Sequence, residues 1–204
     1  MATDVFTKCD PLIVPGILAS LAQTLPDVSL HPAGLIAVQK TLPFYVESTY
    51  YEFTQADQHP ARTVKFIRTP QVLFVCNGDA TDFAAFHQIC PPVLNKTTVL
   101  DYARFYISHI VGPHGMNILV DTVEDLGLQE EPTPSMRKSL QDRIVPLALH
   151  ASLPGSGFQL RGTLLISQTL YSVYLDIDVG GGVFPHVHKG IADLLPVTDR
   201  VLEA

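Results

Sequence analysis

The chain has 204 residues, 16% of them charged and 47% apolar, with a net charge of −7. That length suits a single domain over 1–204, with a core needing neither disulfide nor metal. The acidic balance, with no basic cluster denser than Arg137-Lys138, excludes a nucleic-acid partner. Average soluble domains carry roughly 25% charge. A chain this poor in charge is expected to hide apolar surface in a subunit interface or an apolar cavity, and a homodimer is the commonest closed form.

Near the N-terminus, Leu12 to Leu25 is apolar but interrupted by Pro15 and shorter than the roughly 20 residues a membrane span needs. Asp4 and Asp10 stand where a secretory signal would be positive. Cys9, Cys76 and Cys90 are odd in number, widely spaced and without a C-x-x-C pair, which points to reduced, buried thiols. No membrane partner and a cytoplasmic location are therefore expected.

Pro15 to Leu25 reads as a short helix, with Pro15 in its first turn and Ile17, Leu18, Leu21 and Leu25 on one side. Residues 26–61 are ambiguous: Leu35 to Val38 fits strand or helix, and Tyr50 to Phe53 fits a strand. Thr63 to Arg68 and Gln71 to Cys76 read as strands. Asn77-Gly78 then signals a hairpin and a returning strand from Ala80 to His87. Thr98 to Val111 has the strongest helical stripe, with Thr98 and Asp101 as a capping pair and Gly112-Pro113 as the stop. Met116 to Val120 reads as a strand, and Leu128 to Asp142, with Pro132 and Pro134, as a polar loop. Arg143 to Ala151 is apolar with few breaks. Phe158 to Ile166 and Val173 to Val179 alternate, Gly180-Gly181-Gly182 turns the chain, and Val183 to His188 returns. With no βαβ rhythm, the reading is α+β: a curved antiparallel sheet packed on the helix at 98–111, with a short N-terminal helix. Cystatin-like folds and partial barrels share that plan.

Familiar catalytic strings fail on spacing. Gly155-Ser156-Gly157 lacks the flanks of a nucleophile elbow, and no glycine stands at 160 to complete a dinucleotide loop. His186-Val187-His188 is the one string with metal-ligand spacing, because alternate strand residues share a face. From Gly180 to His188 it resembles the opening of the cupin metal motif, but only Asp193 stands near the place of the cupin Glu, and no second His-bearing half follows. A three-residue turn would pair Val179 with Val183, setting Asp176 opposite His186, Tyr174 opposite His188 and Asp178 diagonal to His186. His186, His188 and Asp176 (or Asp178) then form a candidate divalent-metal set. Against this, Pro185 marks an edge strand, where polar residues need no function. His114, in the loop after the long helix, and Asp79, beside the Asn-Gly turn, are explained by local structure.

The stretch from Phe74 to Leu126 joins a strand, an Asn-Gly turn, the helix containing Tyr102-Ala103-Arg104-Phe105-Tyr106 and a short strand. In this it resembles a group of uncharacterised bacterial proteins. The resemblance implies a similar scaffold and carries no activity. The functional expectation is a non-enzymatic module of the bacterial cytoplasm, self-associating, that binds an apolar small molecule or a protein without a cofactor. The alternative is a divalent-metal enzyme using the His-x-His site.

Overall fold

The computed structural model describes residues 5–112 and 115–198, with backbone alone at Ser156. It is an α+β structure with two antiparallel sheets. The chain divides into two units, Met1–Asn77 and Gly78–Ala204.

In the first unit, β1 (Thr7–Lys8) and α1 (Val14–Thr24) precede β2 (Leu35–Thr41), β3 (Thr49–Gln55), β4 (Arg62–Arg68) and β5 (Leu73–Val75). The five strands lie side by side in sequence order. Pro15 falls in the first turn of α1, and the helix buries Ile17 and Leu21 as its spacing predicts. The ambiguous stretch resolves into β2 and β3. Tyr51, Phe53 and Phe66 join Ile17 and Leu21 in the core, with Tyr51 stacked on Phe66 at 5.1 Å. Each such side chain contributes about 1.5–3 kcal/mol by leaving water.

In the second unit, α2 (Ala80–Ile89) and α3 (Thr98–Ile107) lead into β6 (Val111–Gly112) and β7 (Gly115–Leu119). A 3-10 turn at Val123–Leu126 and α4 (Pro134–Gln141) follow, then β8 (Ala148–Ser152), β9 (Phe158–Ile166), β10 (Thr169–Ile177) and β11 (Val183–Ala192). The sheet order is β11-β10-β9-β7-β6, with β8 also paired to β9. One edge of β9 is thus shared. Its C-terminal half pairs with β7 through Leu164 and Leu165, and its N-terminal half with β8 through Leu160 and Arg161. In the gap between them sits Thr163, fully buried. Its hydroxyl accepts from Val145 N at 2.9 Å and donates to Val145 O at 3.1 Å, while its carbonyl accepts from Val120 N.

Several expectations are corrected. There are two sheets in place of one, and neither closes into a barrel. The segment 80–87 is helical. Asp79 caps it by accepting from Thr81 N at 2.7 Å, and Phe83, Phe86 and His87 are buried at the i, i+3, i+4 spacing of one helix face. Gly78, at φ +91°, therefore leads into a helix and not back along a hairpin. Helix α3 ends at Ile107, where the Ser108 hydroxyl donates to Phe105 O, so Gly112 lies in a strand. Pro113 and His114 lie outside the described residues. At its start Asn95, and not Thr98 with Asp101, does the capping: Asn95 Oδ1 accepts from Thr97 N and Thr98 N at 2.8 and 3.0 Å. The stretch 128–142 carries α4, with Thr133 as N-cap and Pro134 in the first turn.

Candidate binding face on the second sheet

The hairpin between β10 and β11 sets the site. Ile177 pairs with Val183, so residues 178–182 form the connection. The Asp178 carboxylate holds it by accepting from Gly180 N and Gly182 N, each at 2.8 Å. This longer turn slides the register from the expected one: Asp176 faces Phe184, and Tyr174 faces His186. Asp178 thus belongs to the turn.

Pairing through β9 then aligns two rows across the outer face, Arg161–Tyr174–His186 and Gln159–Asp176–Phe184. The opposite face carries Leu160, Val173, Leu175 and Ile177 into the core. Asp176 and His186 are diagonal neighbours, and His186 Nε2 lies 3.1 Å from Asp176 Oδ2. Gln159 Nε2 donates to the other carboxylate oxygen at 2.8 Å. His188 turns to Tyr174, with ring centroids 5.7 Å apart, and His150 meets the same Tyr174 ring at 5.1 Å. The structure thus joins Asp176 to His186 but sets His188 against a phenol. Among the described residues, no group of three or more His, Cys, Asp or Glu side chains is placed to hold a metal ion.

Arg161 and Lys189 are exposed, and among the described residues neither side chain forms an ion pair. Strand β11 is the sheet edge, as Pro185 predicts, and it is open on both faces. Phe184, in the outer row, is 53% exposed, and Val187, opposite Val173, is 55% exposed. Val187 pairs with the buried Val173 yet stays exposed, because β11 is the edge strand of the sheet. Two bulges interrupt the β10–β11 ladder.

A buried polar cluster supports this hairpin. The Tyr102 hydroxyl donates to Gly181 O, and His87 Nε2 lies 3.4 Å from the same hydroxyl. Burial lowers the His87 pKa to about 4, against a smaller opposing pull from Asp178, so its imidazole is neutral at pH 7. Burial also raises the Tyr102 and Tyr106 hydroxyls. In the sequence His87 ends an expected strand and Tyr102 lies within a helix, and neither marks a site. No local pattern reveals the cluster, because it depends on α2, α3 and the glycine turn meeting in space.

A separate cleft of ≈ 300 Å³ is lined by Asp121, Glu124, Arg137, Gln141 and apolar neighbours. Its charges are engaged internally: Arg137 pairs with Glu124, and Arg104 with Asp121. All three cysteines are free, and burial raises the Cys76 thiol far above its usual range, which makes it a poor nucleophile. Among the described residues no helix is long and apolar enough to cross a membrane.

Fold and site together define an α+β protein with an open edge strand and a mixed aromatic, basic and apolar face. No family model matches the chain, and neither does any curated protein or solved structure.

Proposed function

We propose that this chain is a non-enzymatic protein-interaction module of the bacterial cytoplasm that docks a partner on the outer face and edge of the second sheet. The observation that carries it is the exposure of Phe184 and Val187 on the two sides of one edge strand, beside the Arg161–Tyr174–His186 row. Tyr, Arg and Phe are the side chains that dominate protein interfaces. The cytoplasmic setting rests on the free cysteines, and the bacterial one on the resemblance over 74–126. A second copy of the chain is one partner this reading admits.

The test places a photo-crosslinking amino acid at Phe184 or Tyr174 in cells and, as control, at the exposed Lys138. A discrete protein adduct from the first two positions alone supports the reading. Equal yield from all three, or none, rejects it.

The His186–Asp176 contact of 3.1 Å favours one second reading, a divalent-metal enzyme. It requires zinc, manganese, iron or nickel at near-stoichiometric level in protein purified without chelator, lost when His186 and His188 become Ala. Metal-free, folded protein would retire it.

A further inference from the structure

We infer that the partner segment taken by this face is acidic and apolar, with a carboxylate side chain and a large apolar side chain on the same side of an extended chain. The inference rests on the interaction reading above and names the chemistry of the partner. Its first support is charge. The chain carries −7 overall, yet these rows and their flank hold the cations Arg161 and Lys189, with the His150, His186 and His188 rings beside them. The carboxylate among them, Asp176, is already held by Gln159 and His186. An incoming carboxylate therefore meets a guanidinium suited to a bidentate pair and no unengaged carboxylate in either row. A basic segment would find Asp176, already held by two partners, and Asp178, whose carboxylate is taken up by two backbone N–H groups of the turn.

The second support is spacing. Arg161 lies two strands from β11, and Phe184 lies two residues along β11 from the row of Arg161. Strand separation and rise put their Cα atoms about 12 Å apart. In an extended peptide, residues i and i+4 point to the same side about 13 Å apart, so a carboxylate at i reaches Arg161 when an apolar side chain at i+4 covers Phe184. The third support concerns the mode of docking. Pro185 has no N–H to offer, and the bulges break the regular ladder, so β11 is a poor template for an added strand. Recognition by side chains across the face remains.

The probe is a fluorescein-labelled decapeptide with Glu and Phe four residues apart, compared with the same peptide carrying Lys for Glu. Fluorescence anisotropy is read at low and high salt, against the full chain. The Glu peptide is expected to bind, to weaken with salt, and to lose about tenfold in affinity with Arg161→Ala or Phe184→Ala. Arg161→Gln and circular dichroism spectra of each variant guard against misfolding, although both positions are exposed. Equal binding of the Lys peptide, or binding unchanged by both substitutions, overturns the inference. If the Glu peptide fails while crosslinking from Phe184 still captures a protein or a second copy, the acidic–apolar chemistry is wrong and the interaction reading stands. If both fail, both fall.

Discussion

Gly181 is the position where a single methyl group tests how the glycine turn is held. Its φ is +88°, and a Cβ there would lie 2.7 Å from Pro92 Cγ, 2.8 Å from the Tyr102 hydroxyl oxygen and 3.1 Å from His87 Cε1. Two costs follow for Gly181→Ala: about 1–2 kcal/mol for holding an L-residue in the left-handed region, and about 1–3 kcal/mol for overpacking a buried contact. Together they destabilise the second unit by about 2–5 kcal/mol. Gly155, at φ +76° with nothing within 4 Å of a built Cβ, isolates the backbone cost alone, about 1–2 kcal/mol. Gly190, in β11 with open space around it and no positive φ, should be neutral or stabilised by up to about 1 kcal/mol. Urea unfolding followed by far-UV circular dichroism at pH 7 ranks the three variants. Adding Tyr102→Phe removes one of the crowding atoms and should shrink the Gly181→Ala penalty. If Gly181→Ala costs no more than Gly155→Ala, the turn is not seated on α2 and α3 as described.

Further outcomes follow from the same contacts. His87 has its pKa lowered from 6.5 to about 4, so the stability it contributes as a neutral, buried group is complete above about pH 6.5 and lost as pH falls through about 4. The loss is at most about 3 kcal/mol, and comparing urea midpoints of wild type and His87→Phe at pH 7, 5 and 4 reads it; parallel profiles would sink the assignment. Asn95→Ala should cost about 1 kcal/mol because the N–H groups of Thr97 and Thr98, at the start of α3, lose their acceptor, whereas Asp101→Ala should cost clearly less; thermal melts decide between the two caps. Thr163→Val leaves Val145 N without its acceptor in a buried gap, a loss of about 1–3 kcal/mol, visible as early amide exchange at Val145.

Much of the sheet scaffold was legible because its signals are local. The alternation of Phe158 to Ile166 marks β9, Pro185 marks an edge, and Pro15 marks the start of α1. Elements were misread where one residue carries two meanings. Asn77-Gly78 signals a hairpin, yet Asp79 behind it is an N-cap, and the chain follows the cap. Pro134 breaks a helix from within but opens one behind Thr133. The Asp176–His186 pair was anticipated through an opposed register and exists through a diagonal one. Turn length decided that, and three consecutive glycines do not reveal that Asp178 closes a longer loop. Arg161 falls within the alternating stretch Phe158 to Ile166, but its neighbours Tyr174 and His186 emerge only once both registers are known.

The shared edge of β9 also bears on the order in which this unit assembles. β8, β9, β10 and β11 pair with chain neighbours, whereas β7 reaches β9 across the intervening 3-10 turn, α4 and β8. Closing the longer loop forfeits more chain entropy before any contact repays it. The C-terminal meander is therefore the piece that organises first, and β7 docks afterwards onto the half of β9 that β8 leaves vacant. A lesion at Leu175 then slows folding, while one at Ile118 chiefly hastens unfolding.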